Sequence, residues 1–237
     1  MSTEIIPAIM PTTFEDLKEK AEKVSGAVGL AQIDIMDGVF VASKSWPYTE
    51  GGVEKEPHFI SLTKQDEGLP EWEDLDYEID LMIAEPEKHI DEWLPLGASR
   101  LIFHIESVKD IDAFFGHDIF KPEARSIGDS KVIELGLALN PDTPLDAILP
   151  HISKVDFVQC MGIAKIGYQG QPFDERVLAQ IHALRLQFPD MPISVDGGVN
   201  LTTAHDLKGA GATRLVSGSA VFNAEDVDEA ILALQNA

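Results

Sequence analysis

The feature that most constrains the fold of this chain is the regular alternation of short apolar runs with longer stretches of helical periodicity. Eight of these runs are almost continuously apolar, which is typical of strands in a parallel sheet buried on both faces. Eight strand–helix units in 237 residues favour a closed (β/α)8 TIM barrel over an open sheet, with one domain over residues 1–237. The predicted strands cover residues 4–9, 30–36, 77–83, 99–105, 132–140, 154–161, 191–196 and 213–219.

The predicted helices fill the gaps between these strands. The first ends at Gly26, and the third has Pro86 in its first turn, two positions that these residue types favour. The 3.6-residue spacing of apolar side chains places the others. The predicted helices cover residues 14–26, 57–65, 86–97, a part of 107–126, 144–149, 173–188, 200–211 and 224–235.

Composition limits the partners and the compartment. A formal net charge of −23 would repel nucleic acid and anionic membranes. The sequence has no run of 18 apolar residues, and its start lacks the pattern of a signal peptide, so we expect neither a membrane span nor secretion. Cys160 is the single cysteine, which favours the reducing cytoplasm. We interpret the acidic segment 64–80 as a solvated loop.

The barrel prediction indicates where chemistry should be found, because the sites of such barrels lie at the carboxyl ends of the strands. Asp34 and Asp196 end the second and seventh strands, so their carboxylates could face each other across a ligand. Two opposed acids can remove a proton from one side of a carbon and return one on the other. Each could instead only cap the following turn. The residues at the predicted strand ends are Ala8, Asp34, Asp37, Asp80, His104, Asn140, Met161 and Asp196.

Glycine-bearing turns follow three consecutive strands. They are IGYQGQPF at 166–173, DGGVN at 196–200 and VSGSAVF at 216–222. Glycine lets backbone N–H groups approach an anion closely, and the amino termini of helices add a favourable dipole. The three turns together predict a phosphate site, although turn formation alone could also explain them.

Oxygen donors dominate the predicted mouth of the barrel. Asp34, Asp80, Asp196 and Gln32 would suit Mg²⁺ or Mn²⁺ better than zinc, which prefers nitrogen and sulfur ligands. Gln32 and Asp80 could equally be polar lining, with no metal bound. Three methionines, Met36, Met82 and Met161, fall at the same strand ends and are either core residues or an apolar wall of the site.

Six segments of the chain resemble those of ribulose-phosphate 3-epimerases, in the same order. They are IDIMDGVFV, DLMIAEPEKHI, LIFHIES, GLALNPDTPLDAI, IGYQGQPF and VDGGVNLTTAHDLKGAGATRLVSGSAVF. The resemblance implies a ribulose-phosphate-binding barrel in which Asp34 and Asp196 interconvert D-ribulose 5-phosphate and D-xylulose 5-phosphate, a step of the pentose phosphate pathway, through an enediolate. It also implies that Met36, Met82, Met161, Gly167, Gly170, Gly197, Gly198, Gly218 and Ser219 contact the substrate or its phosphate.

The chain departs from this family pattern at several positions. Gln32 and Asp80 replace two histidines that hold the family's metal, and Ala8 replaces a serine. The loop AKIGYQGQ at 164–171 replaces an Asn-Pro-Gly-Phe-Gly-Gly loop. Related barrels that decarboxylate or condense sugar phosphates carry a lysine between two aspartates after the second strand, and DIMD at 34–37 has none.

Three functions stay open at this point. The first is an epimerase with an altered metal site or none, on the same or a related ketose phosphate. The second is a different isomerase or lyase that uses the same phosphate site, and the third is a sugar-phosphate-binding protein without turnover. Two opposed carboxylates favour catalysis, because a protein that only binds has no need of them. The sequence also leaves a homo-oligomer open.

Overall fold

The structure, a computed structural model, describes residues 3–48, 55–127, 130–168 and 170–237. Eight parallel strands form a closed barrel in which each strand pairs with its neighbours in the sequence and β8 pairs with β1. This confirms the predicted TIM barrel. The barrel strands are β1 Glu4–Ile9, β2 Leu30–Met36, β3 Asp76–Met82, β4 Arg100–His104, β5 Glu134–Leu139, β6 Phe157–Met161, β7 Ile193–Asp196 and β8 Arg214–Ser217.

Strand β2 shows how the apolar pattern produces the barrel. All seven of its side chains are buried, and successive side chains point to opposite faces. Ile33 and Ile35 join the large core between the sheet and the helices. Gln32, Asp34 and Met36 therefore point into the barrel. The outward side chains of β2 are therefore apolar, whereas its polar side chains, Gln32 and Asp34, point into the barrel near the carboxyl end of the strand.

The helices follow the predicted strands around the outside of the barrel. Side chains cap several of them: Thr13 accepts a hydrogen bond from the backbone N–H of Asp16, and Asp226 accepts one from that of Glu229. The last helix packs against β1, so both ends of the described chain meet at the barrel. The helices are α1 Phe14–Val24, α2 Pro57–Thr63, α3 Ile90–Trp93, α4 Ile111–Gly116, α5 Arg176–Gln187, α6 Leu201–Ala210, α7 Ser219–Phe222 and α8 Val227–Asn236.

Two predicted helices are wrong in detail. The segment 86–97 contains only the single turn of α3, flanked by 3-10 turns at Pro86–Lys88 and Leu94–Leu96, because Pro95 has no N–H to continue an α-helix. The segment 144–149 is likewise not one helix. It holds the 3-10 turn Leu145–Ala147 and the start of a second, Leu149–Lys154. The short helix α7 was not predicted.

The amino-terminal end of the barrel carries a network of ion pairs. Arg100 lies 3.1 Å from both Glu78 and Glu134, and Arg214 lies 3.2 Å from Glu134 and 3.3 Å from Glu4. These ion pairs join side chains of β1, β3, β4, β5 and β8. The predicted site lies at the other, carboxyl end, where the chemistry of these barrels is found.

The acidic residues of 66–74 lie at the surface, but the predicted solvated loop over 64–80 is wrong at its end, because residues 76–80 belong to β3 and Glu78 and Asp80 are fully buried there. Leu69 and Leu75 are buried and anchor the exposed stretch. None of the helices in the described ranges combines the length and hydropathy needed to cross a bilayer.

Candidate active site

A cavity of about 270 Å³ opens at the carboxyl end of the barrel. Its walls come from the ends of strands and from the loops that follow β1, β6, β7 and β8. Most of the residues singled out in the sequence line this one cavity: Ala8, Asp34, Met82, Met161, Gly167, Gly170, Asp196, Gly197, Gly198, Gly218 and Ser219. The structure thus brings together the two aspartates and the three glycine turns.

Asp34 and Asp196 are joined by one amide group. The Nε2 of Gln32 donates to Asp34 Oδ1 at 2.8 Å and to Asp196 Oδ2 at 3.0 Å. Gln32 precedes Asp34 by two residues in β2, so both side chains point into the barrel. Asp196 is the last residue of β7, across two intervening strands. The amide therefore holds the two carboxylates at a fixed separation at the bottom of the cavity.

Asp80 is fully buried, and its Cα is the register partner of the Cα of Asp34. One oxygen each of Asp34, Asp80 and Asp196 lie within 4.8 Å of one another, an arrangement that could hold a metal ion. Two side chains also contact Asp80. His104 Nε2 lies 3.1 Å from Oδ1, and Gln159 Nε2 donates to Oδ2 at 3.1 Å.

The environment of these carboxyls changes their acidity. Burial raises the pKa of Asp196 to about 7, and the negative charge of Asp80 adds to the effect. Burial, followed by the charges of Asp196 and Asp80, holds the pKa of Asp34 well above its ordinary range. Burial opposes protonation of His104, but the charge and hydrogen bond of Asp80, together with the charges of Glu106 and Asp196, outweigh it and raise the pKa of the imidazole. Asp196 can therefore exchange a proton near neutral pH, and the pKa of Asp34 is shifted in the same direction.

The raised pKa of Asp196 predicts a pH-dependent stability. A carboxyl whose pKa is higher in the folded than in the unfolded chain destabilises the fold once it must ionise. The free energy of unfolding therefore falls as the pH rises from the ordinary pKa of 3.8 through about 7. Asp196→Asn should therefore increase the free energy of unfolding at pH 8 by about 1–3 kcal/mol, and by much less at pH 4.5. Urea unfolding with EDTA at the two pH values measures this. A variant less stable than wild type at pH 8 would contradict the assigned shift.

The donor set also fits a cation. Gln32 Oε1 is fully buried and lacks a hydrogen-bond partner within the described part of the chain. Rotation of the amide by half a turn exchanges its oxygen and nitrogen, and the oxygen would then face the same two carboxylates. That orientation is repulsive unless a cation or a proton lies between them. The structure places three carboxylates together, and the amide oxygen of Gln32 would join them only after this rotation.

The glycine turns take conformations that other residues adopt at a cost. Gly197 and Gly198 follow Asp196 with φ of 94° and 69°. A Cβ on Gly197 would lie 2.7 Å from Ile163, so the turn also needs glycine for space. In α6, which begins next, Asn200 already accepts hydrogen bonds from the N–H groups of Thr202 and Thr203.

The strand-end residues that do not line the cavity are Met36, Asp37, Asp80, His104 and Asn140. Met36 is fully buried behind the cavity wall, packed with Val41 and Met82. Asp37 accepts hydrogen bonds from the backbone of Val39, Phe40 and Ala84, which ties the β2 loop to the end of β3. These hydrogen bonds explain why an aspartate follows β2 at position 37.

Sequence reasoning missed the partners of Asp80. Gln159 is an amide at an inward position of an otherwise apolar strand, two residues before Met161, and this isolated polarity was the available signal. His104 was noted at a strand end but given no partner.

The chain matches known proteins over nearly its full length. The model of the ribulose-phosphate 3 epimerase family matches residues 4–222. The chain belongs to the ribulose-phosphate 3-epimerase family. The ribulose-phosphate 3-epimerase of Schizosaccharomyces pombe is 31% identical over 237 residues, which is 100% of this chain and 94% of the relative. That of Synechocystis is also 31% identical, over 100% of this chain and 95% of its own length. These relatives are isomerases by name.

Solved structures agree with the fold. The crystal structure of 3-hexulose-6-phosphate synthase superposes with a TM-score of 0.63 at 20% identity, covering 100% of this chain and 99% of the other. That of 3-keto-L-gulonate-6-phosphate decarboxylase from Vibrio cholerae gives 0.64 at 12% identity, covering 100% of this chain and 97% of the other. At these identities the likeness concerns the barrel alone.

Proposed function

We propose that this protein is a sugar-phosphate 3-epimerase that interconverts D-ribulose 5-phosphate and D-xylulose 5-phosphate, or a close ketose-phosphate analogue. The observation that carries the proposal is the pair of carboxylates, Asp34 and Asp196, bridged by Gln32 at the bottom of a cavity with glycine turns at its rim. Membership of the epimerase family supports the reaction type.

The two aspartates divide the proton transfers. One carboxylate removes the proton from C3, which gives an enediolate, and the other carboxylic acid returns a proton to the opposite face. This requires one ionised and one protonated group at the same pH. The raised pKa values of both side chains support such a shared state, in which the protons belong to the pair. Gln32 keeps both oxygens aimed at the same point.

The apolar part of the cavity protects the intermediate. Met82 and Met161 line the wall beside the two aspartates. In our proposal they contact the planar enediolate and exclude water that would compete for its protons. Met36 supports this wall from behind by its contact with Met82.

The glycine turns are proposed to bind the phosphate through backbone N–H groups. Gly167, Gly170, Gly197, Gly198, Gly218 and Ser219 all line the cavity. Neutral amides are suited to this task, because a net charge of −23 provides no general attraction for an anion. We therefore expect inorganic phosphate at millimolar concentration to occupy the turns near Gly170, Gly198, Gly218 and Ser219 in a crystal. A well-ordered crystal with these turns empty would count against the phosphate site.

We further propose that Asp34, Asp80, Asp196 and Gln32 hold a divalent cation. Four oxygen donors favour Mg²⁺ or Mn²⁺ over zinc. When bound, such an ion supplies Lewis acidity that stabilises negative charge developing on the substrate oxygen. The three clustered carboxylates support this assignment. Gln32 would join them if its amide rotated, so that the buried, unpaired Oε1 replaced the Nε2 that donates to Asp34 and Asp196.

A panel of substrates separates the epimerase from the alternatives. We expect NMR to show D-ribulose 5-phosphate converted to D-xylulose 5-phosphate, or another ketose phosphate converted to its C3 epimer. Cleavage or condensation products would instead indicate a lyase, a reaction type that the fold of 3-hexulose-6-phosphate synthase can host. Binding without any product would indicate a non-catalytic sugar-phosphate-binding barrel. The chain has Ile35 and Met36 where those lyases carry a lysine, which favours the epimerase.

Small molecules are the only partners that this proposal requires. We also propose that the protein acts in the cytoplasm. A rice relative is named a cytoplasmic isoform and an Arabidopsis relative chloroplastic, so the family occupies more than one compartment. The homo-oligomer stays a prediction.

A further inference from the structure

Asp80 is held from two sides by side chains of other strands. His104 in β4 and Gln159 in β6 each place a ring or amide nitrogen 3.1 Å from a different oxygen of this carboxylate. Because a carboxylate only accepts, the Nε2 of His104 carries the proton in this contact. All three side chains are fully buried. The two contacts therefore fix both the position and the plane of the carboxylate.

The holding residues leave polar atoms unpaired. Gln159 Oε1 and His104 Nδ1 are buried and have no hydrogen-bond partner among the residues that the structure describes. Each unpaired buried polar atom destabilises the fold, and apolar residues could fill the same space without that cost. Packing alone therefore gives no reason for an amide and an imidazole at these positions. Their contact with Asp80 does.

The place of Asp80 suggests what the contacts achieve. Asp34 and Asp196 line the cavity, whereas Asp80 lies fully buried beside them, with one oxygen within 4.8 Å of theirs. Gln32 already ties Asp34 to Asp196. Within the described part of the chain no hydrogen bond joins Asp80 to that amide, and Asp80 is oriented instead by side chains of β4, the neighbouring strand, and of β6.

We propose that His104 and Gln159 are positioning residues that hold Asp80 in the orientation needed to share a divalent cation with Asp34 and Asp196. The inference rests on the proposed function, because the cation is part of it. Side chains that orient a metal ligand typically contribute 10- to 100-fold to metal affinity. We expect the same range for each of these two residues.

The test is a titration of the apo protein with Mn²⁺, monitored by calorimetry and by electron paramagnetic resonance of the free ion. It needs no assay of turnover. Gln159→Met keeps the volume of the side chain but removes the donor, and His104→Leu removes the other. Each should weaken Mn²⁺ binding by about 10- to 100-fold. His104→Gln retains an N–H group at a similar reach and should recover much of the loss.

Gln180→Met is the matched control. Gln180 also donates from a partly buried amide, to the backbone oxygens of Asn140 and Thr143, but it does not contact the carboxylates. This variant should bind Mn²⁺ like wild type, with circular dichroism confirming that every variant is folded. A folded Gln159→Met with wild-type affinity, or an equal loss in Gln180→Met, would overturn the positioning role.

Measurements on the wild-type protein distinguish failure of this inference from failure of the proposed epimerase function. If wild type binds no Mn²⁺ but still exchanges the C3 proton of a ketose phosphate, the inference is overturned and the epimerase survives. If Mn²⁺ binding responds to the variants as expected but no ketose phosphate reacts, the inference stands and the epimerase assignment fails.

Discussion

Replacing either Asp34 or Asp196 with asparagine is expected to lower kcat/KM for the epimerisation by about 10²- to 10⁴-fold, the usual contribution of a positioned general acid or base. Asparagine has nearly the same shape and still accepts a hydrogen bond from Gln32, but it cannot transfer a proton. The barrel should therefore stay folded. Steady-state rates with D-ribulose 5-phosphate, or with the ketose phosphate that the substrate panel identifies, measure the effect.

Asp37→Asn is the matched control for these variants. Asp37 follows the same strand, but its oxygens accept hydrogen bonds from the backbone of Val39, Phe40 and Ala84, and asparagine can retain part of these contacts. Its rate should stay within a few-fold of wild type. Turnover near the wild-type rate in Asp196→Asn would show that this carboxyl is not the acid–base group.

Removal of the divalent cation is the second change with a large expected effect. Lewis acidity at a developing oxyanion contributes several kcal/mol, and each 1.36 kcal/mol is tenfold in rate. EDTA treatment should therefore reduce the rate by about 10²-fold or more. Mg²⁺ or Mn²⁺ should restore it better than Zn²⁺, because all four donor atoms are oxygens.

Two outcomes would contradict this prediction. Stoichiometric zinc bound tightly by the purified protein, and lost on changing Asp80 to asparagine, would show that oxygen donors do not decide the choice of ion. Activity that survives EDTA and dialysis would remove the metal from the mechanism. The amide of Gln32, which donates to both Asp34 and Asp196, would then stabilise these carboxyls by hydrogen bonding alone.

The regular parts of the fold could be predicted from sequence because burial on both faces leaves a continuous apolar pattern. Strand β2 was predicted with its observed bounds, Leu30–Met36. The helix predicted over 86–97 failed because its apolar spacing is helical while Pro95 interrupts the backbone hydrogen bonds. Helix α7 has only four residues, which is too short for periodicity to reveal.

The candidate site could be predicted only in part, for a geometric reason. The rule that parallel strands end at one edge was enough to bring Asp34, Asp196 and the glycine turns to one cavity. It does not say which inward side chains meet across the barrel, since that depends on the stagger of the strands. The contact between Gln159 and Asp80 joins residues 79 positions apart and could not be predicted from either strand alone.

The most direct measurement of the central claim is exchange of the C3 proton of D-ribulose 5-phosphate in D2O, followed by NMR, with wild type and Asp196→Asn side by side. Proton transfer by the pair predicts that wild type introduces deuterium at C3 and forms D-xylulose 5-phosphate, while the variant is slower by at least about 10²-fold. The same exchange on another ketose phosphate would change the substrate but keep the mechanism. Saturable binding of these sugar phosphates without any exchange at C3 would contradict the claim that Asp34 and Asp196 are an acid–base pair.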